Sequence, residues 1–421
     1  MLHALQGHPE SGRLWEEHIN KILTSPELGF RHTTHDRCIY SVTIDGQKVL
    51  MLRQVDDFSL SCPNEALARK IYDIIGRRLQ LEHETKPPFA YFGLLTEYNG
   101  VSITQTREHI AIDCSQYIQR VLRTHNWTEE SPNEQTRVKN VPMDPDCLAH
   151  LYKETGPPEG TAEYAALAQK QGFAYRTVLG ELLYAYIVCR PDIGYAVTTL
   201  SKFAVAPAAV HYTRLKDIAR YLRRTADWAI IYRKSKADPS MPPSQHVPLE
   251  VPADLPPFPS SVRPDRLSCF VDAAHANDLR NRRSTTGYAI MLSGGAVSYR
   301  TKMQSITATS STEAEFLAAV FAAKQVKYLR AILLELGFDQ EEPTFIYEDN
   351  QSAIKMINAR VPTERSRHID IQHFAIQDWK DAGALVMEFI PGILNPSDDL
   401  TKPLGWVLHS RHARRIMGHY G

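Results

Sequence analysis

The chain has 421 residues, 43% hydrophobic and 23% charged, enough apolar material for two or three domains with cores of their own. Lysine plus arginine (48) equals aspartate plus glutamate (48), so no basic excess announces a nucleic-acid partner, although acids gathered at a metal site can cancel arginines on a binding face. The longest clean apolar run, Leu182 to Cys189, falls far short of the roughly 18 residues of a membrane span, and the scattered Cys38, Cys62, Cys114, Cys147, Cys189 and Cys269 contain no C-x-x-C pair, which speaks against a zinc site or a disulfide frame.

His3, His8 and Glu10 stand where a signal peptide would need an apolar core, so the expectation is a soluble protein that is not secreted. A helix is expected up to about Leu23, then a strand pair, Cys38–Ile44 and Gln47–Leu52, around an Asp45-Gly46 turn, a dipeptide that favours tight hairpins. The second strand runs into Gln54-Val55-Asp56-Asp57. Two acids at a hairpin tip are ordinarily a solvated turn.

From Asn64 a helix is predicted with Leu67, Ile71, Ile74, Ile75 and Leu79 on one face, followed by two strands joined at Asn99-Gly100 and a helix around Tyr117 to Leu122. These apolar faces read as core. Residues 151–232 read as mostly helical. There Pro191 should break one helix and Asp192 should cap the next. Residues 233–266 are crowded with proline and have no periodic apolar face, which predicts an extended, semi-rigid spacer that leaves the remainder free to fold alone.

From Leu267 onward four acids fall at element ends. Asp272 closes the apolar run Leu267-Ser-Cys-Phe-Val, and Glu315 lies early in a long helix that Ser310-Ser-Thr-Glu313 opens with capping-box spacing and Gly337 stops. Asp349 ends the strand Phe345-Ile-Tyr, and Asp398 follows the strand Ala384 to Ile390 across a Pro-Gly turn. Any one of these could be a mere cap or turn residue. Four in one cleft would repel one another unless cations sat between them, and hard oxygen donors select Mg²⁺ or Mn²⁺. Arg282, Arg283, Arg280 and Lys302 suit phosphate contacts or plain solvation, and Gln351 suits a minor-groove edge with its 2′-hydroxyls. His368 and His373 read as packed rather than ligating, because Ile369, Ile371, Phe374 and Ile376 surround them in sequence.

The blocks FVDAAHANDLRNRRSTTGYAIML, SITATSSTEAEFLAA, FIYEDNQSAI, RSRHIDIQHF and NPSDDLTKPL resemble the ribonuclease H domain of copia-type retrotransposon polyproteins. By that resemblance Asp272, Glu315, Asp349 and Asp398 are catalytic and bind two Mg²⁺ ions, and the partner is an RNA–DNA hybrid contacted by Arg282, Arg283 and Gln351. Upstream, Ala4, Leu5, Gly7, Ser11, Arg13 and Trp15, then Val55, Asp56 and Asp57, are similar to the family's reverse-transcriptase palm, whose third metal-binding aspartate would come from a strand preceding Met1. Gln54 replaces the hairpin's aromatic residue, Glu10 stands where the family has Gln, and Tyr91-Phe-Gly-Leu-Leu shifts the Gly by one place. Polymerization by this chain alone is therefore not expected. The implied fold class is α/β and multi-domain: a partial palm and thumb over 1–150, a helical connection over 151–232 that spaces the two ends along a hybrid, the proline-rich linker 233–266, and a ribonuclease H-like mixed sheet over 267–421. The implied setting is a cytoplasmic retroelement particle or the nucleus. The alternative is a catalytically silent nucleic-acid-binding relic, or a mis-started fragment of a full RNA-directed DNA polymerase.

Overall fold

The computed structural model describes residues 8–80, 91, 93–131, 137–246, 248–359 and 370–420. Ala4, Leu5, Gly7, Phe92 and His368 lie outside the described residues. The chain divides into two compact units, one taking in residues up to Tyr98 together with Lys327–Glu341, the other Asn99–Val326 with Glu342–Gly421.

In the first unit, α1 (Ser11–Leu23) and α2 (Glu65–Leu79) accompany the antiparallel strands β1 (Ile39–Ile44), β2 (Gln47–Gln54) and β3 (Asp57–Ser61). Asp45 and Gly46 both take positive φ, +51° and +75°, so the two-residue turn matches the twist of the strands it joins. Asn64 caps α2 by accepting the Leu67 N–H, satisfying one of the helix's orphan donors. Ile19, Leu23, Phe30, Tyr40, Met51, Ile71 and Ile75 form the core.

The second unit begins with the antiparallel strands β4 (Val101–Gln105), β5 (His109–Asp113) and β6 (Ile230–Arg233). Between β5 and β6 come α3 (Ser115–Thr124), α4 (Tyr175–Val188), α5 (Gly194–Ser201) and α6 (Ala209–Arg224), sharing a core that includes Leu122, Trp127, Tyr175, Leu182, Tyr212 and Leu215. Asp192 does not cap α5, as expected from sequence; it lies in a one-turn helix, Pro191–Ile193. Its carboxylate instead takes two bonds from the fully buried Arg190 guanidinium, 2.6 and 2.9 Å, and a third from the Tyr221 hydroxyl at 2.7 Å. A buried arginine is tolerable only when its charge is matched and its donors are filled. The guanidinium's remaining contacts, to the Thr225 carbonyl and hydroxyl, complete that requirement.

A five-stranded mixed sheet follows: β7 (Ser268–Ala274), β8 (Thr285–Leu292), β9 (Gly295–Met303), β10 (Thr344–Glu348) and β11 (Leu385–Phe389), in the order β9-β8-β7-β10-β11. The first three are antiparallel; β10 and β11 add in parallel beside β7. The helix α7 (Ser311–Glu335), of which the buried part up to Val326 belongs to this unit, lies between β9 and β10 in the chain, while α8 (Gln351–Asn358) and α9 (Asp370–Asp381) lie between β10 and β11. The helix α10 (Trp406–Ile416) closes the chain. This is a mixed α/β sheet flanked by helices, in keeping with the fold class expected for this part of the chain.

The proline-rich stretch is not the free spacer expected from its composition. Leu255, Phe258 and Val262 pack onto the sheet beside Phe270, Met291 and Tyr347. Ser261 accepts from the Tyr347 hydroxyl (2.8 Å) and donates to Glu388 (3.0 Å), and Pro242 accepts the Arg107 N–H. Proline lacks an N–H, so such a segment can lie against a surface without stranding donors. Nor does the sheet stand apart from the helices before it. The Tyr186 hydroxyl accepts the Thr301 N–H at 2.8 Å, and the Tyr299 hydroxyl donates to the Tyr186 carbonyl at 2.8 Å.

Candidate metal centre

Asp272 lies on the central strand β7, where its neighbour across the β8 ladder is Gly287. A Cβ at Gly287 would stand 2.6 Å from Thr401 and 2.8 Å from Leu400 side-chain carbons. Glycine there lets the turn Pro396–Leu400 settle onto the sheet above Asp272. That turn is fastened by Asn395, whose amide donates to the Val271 carbonyl at 2.8 Å and whose Oδ1 accepts the Ser397 N–H. Thr401 then donates its hydroxyl to Asp272.

Glu315 is carried by α7. The Ser310 hydroxyl accepts the Glu313 N–H, and the Glu313 carboxylate takes the Thr309 N–H and hydroxyl at 2.8 and 2.6 Å. Glu313 thus serves the helix start. Glu315, two residues on, is left to face the other acids. Asp349 leaves β10 immediately before Asn350, which caps α8 through the Ser352 and Ala353 N–H groups. Gly392 permits close approach here too: a Cβ would lie 2.9 Å from Asp349 Oδ2.

Asp272, Glu315 and Asp349 each offer one carboxylate oxygen, and these three oxygens lie within 4.8 Å of one another. Burial, then the charges of Glu348, Asp272 and Asp349, push the Glu315 carboxyl up to about 12. Asp349 is raised by burial and by Asp272. Asp398 is held differently: its Oδ1 is 2.9 Å from the Lys402 ammonium, which is itself 3.8 Å from Asp272 Oδ2. Burial and Asp272 still push Asp398 up to about 7. The site is therefore short of positive charge, and Glu315 Oε2 is buried with no hydrogen-bond partner. An all-carboxylate donor set with an unpartnered buried oxygen fits a hard divalent cation.

Two neighbours escaped sequence reasoning. Lys402 carries no motif signal beyond its place in NPSDDLTKPL. Glu348, fully buried and pushed well above the usual carboxylate range by burial, accepts the Asn350 N–H at 2.9 Å. Its position beside Asp349 was the available signal.

Arg282 and Arg283 project from a loop built on the buried Asp278. That carboxylate accepts the Arg280 and Asn281 N–H groups and pairs with Lys202 at 3.1 Å. Arg282 and Gln351 are exposed, Gln351 opening α8 directly after the Asn350 cap. His373 bonds the Ala359 carbonyl and stacks on Phe316. In the first unit Asp56 and Asp57 are exposed at the β2–β3 turn, where Val55 takes φ +56° and its carbonyl accepts the Trp15 indole N–H at 2.7 Å. Among the described residues, no group of candidate ligands includes either aspartate.

No family model matches the chain. It is 28% identical over 402 residues to the retrovirus-related Pol polyprotein from transposon TNT 1-94 of Nicotiana tabacum, covering 95% of this chain and 26% of that protein. Against the retrovirus-related Pol polyprotein from transposon RE1 of Arabidopsis thaliana it is 26% identical over 414 residues, covering 98% of this chain and 24% of the relative. The chain thus spans about a quarter of the length of these relatives. The solved structure of LC11-RNase H1, isolated from compost, aligns with TM-score 0.27 and 15% identity over 32% of this chain and 93% of that one.

Proposed function

We propose, from the similarity of the chain to copia-type retrotransposon Pol polyproteins, that its C-terminal sheet domain hydrolyses the RNA strand of RNA–DNA hybrids with the help of Mg²⁺ or Mn²⁺. The observation that carries this reading is the convergence of Asp272, Glu315 and Asp349 oxygens within 4.8 Å. Cations held there would supply positive charge to the attacking water and to the leaving oxygen. Asp272 and Asp349 would anchor such cations, with Glu315 and Asp398 as further oxygen donors that would orient the water for in-line attack at phosphorus, leaving a 3′-hydroxyl and a 5′-phosphate. Arg282 and Arg283 grip phosphates, and the Gln351 amide reads the minor-groove edge and 2′-hydroxyls of the RNA strand. Asp56 and Asp57 stand where the resemblance to the polymerase palm places two of its metal-binding aspartates. The setting is a cytoplasmic retroelement particle or the nucleus.

The test is a Mg²⁺-dependent assay on an end-labelled hybrid with the full chain. Cleavage of the RNA strand alone, lost in Asp272→Asn, supports the reading. No cleavage by the folded protein, or cleavage undiminished by that substitution, overturns it in favour of a silent relic.

A further inference from the structure

The four acids are unequally supplied with positive charge. Asp398 Oδ1 lies 2.9 Å from the Lys402 ammonium and Asp272 Oδ2 lies 3.8 Å from it. Glu315 and Asp349 have no cationic side chain within ion-pairing distance among the described residues, and Glu315 Oε2 is left without a partner. The Lys402 position is built rather than casual. Its side chain follows Thr401, whose hydroxyl is bonded to Asp272 and whose carbonyl accepts from Asn277 at 3.2 Å. The turn before it is pinned by the Thr301 hydroxyl on the Leu400 carbonyl at 2.7 Å. The Lys402 side chain is 40% exposed, so the ammonium can leave without unpacking the core.

We propose that Lys402 is the built-in counter-cation of the Asp272–Asp398 side of the site. The hybrid-free protein then binds a single divalent cation, among Asp272, Glu315 and Asp349, and a second can enter only by displacing the ammonium. The physical reason is direct: a unit positive charge about 4 Å from an incoming dication repels it strongly in a partly buried site. This assignment rests on the metal-centre reading above and concerns how many cations the free site admits.

Mn²⁺ binding to the full chain, followed by the electron paramagnetic resonance of free Mn²⁺ and by calorimetry, tests it without turnover. One site is expected for the native chain and for Lys402→Arg, and two for Lys402→Gln, the second at least about tenfold tighter than any weak second binding in the native chain. Asp349→Asn should weaken the first site in every background. Two equal sites in the native chain overturn the assignment, as does a single site of unchanged affinity in folded Lys402→Gln; in both cases the metal-centre reading survives. No binding in any form overturns both.

Discussion

Gly287 stands directly across the β7–β8 ladder from Asp272, and the space its missing side chain leaves is filled by Leu400 and Thr401 of the turn that carries Asp398. The strand acid and the turn acid therefore share one region because one residue between them has no Cβ. Gly287→Ala should push the turn away at a cost of about 1–3 kcal/mol, the usual range for overpacking. Cleavage of the hybrid should fall by more than the stability loss explains. Thermal unfolding together with the hybrid assay checks this; a variant with native activity would show the turn can yield without moving Asp398.

Removing an acid from this cluster should stabilise the cation-free protein while abolishing its chemistry. Glu315→Gln leaves a near-isosteric amide where a buried carboxyl now faces Glu348, Asp272 and Asp349. A gain of about 1 kcal/mol or more is expected, in keeping with the trade between stability and active-site strain. Denaturant unfolding in chelator, with and without the substitution, measures it.

The same acids give a pH dependence of definite sign. Carboxyls whose folded values lie above their unfolded ones stabilise the fold while protonated and lose that contribution as pH rises through the folded value. With Asp398 at about 7 and Asp349 raised, the melting temperature in chelator should fall between about pH 5 and pH 8. Added Mg²⁺ should restore it, more at pH 8 than at pH 5, because binding needs ionised oxygens. A flat profile in chelator would contradict the cluster's electrostatics.

Arg190 and Asp192 should dominate the stability of the second unit. Arg190→Ala strands a buried carboxylate and is expected to cost about 3–5 kcal/mol. Arg190→Lys should rescue little, since an ammonium cannot reproduce the paired bonds to Asp192 and the contacts to Thr225. Unfolding midpoints of the two variants decide the matter.

Phe258→Ala tests whether the proline-rich segment is structural. Its ring packs among Phe270 and neighbouring core residues and beneath Arg415. A loss of about 1–3 kcal/mol is expected, less than for a fully buried phenylalanine. A free spacer would show no change.

Local rules made much of this legible. The Asp45-Gly46 turn, the Asn64 cap and the division of labour between Glu313 and Glu315 follow from nearest neighbours in sequence. The strands ending near Asp272 and Asp349 could be read from apolar runs. What could not be read depends on partners far along the chain: Asp192 looked like a cap because the buried setting that pairs it with Arg190 is completed by residues far along the chain, Tyr221 being 29 residues away. Lys402 is illegible for the same reason, since only the folded turn brings its ammonium to Asp272. The spacing of Leu255, Phe258 and Val262 was a signal for the docked linker, hidden by the prolines around it.

The docked proline segment and the Tyr186–Thr301 contact have a practical corollary for proteolysis. A protease that cuts between 233 and 266 would nick the second unit without releasing the C-terminal sheet domain. The two pieces, still gripping each other through Tyr186, Thr301 and Tyr299, should co-elute as one particle until a denaturant pries them apart.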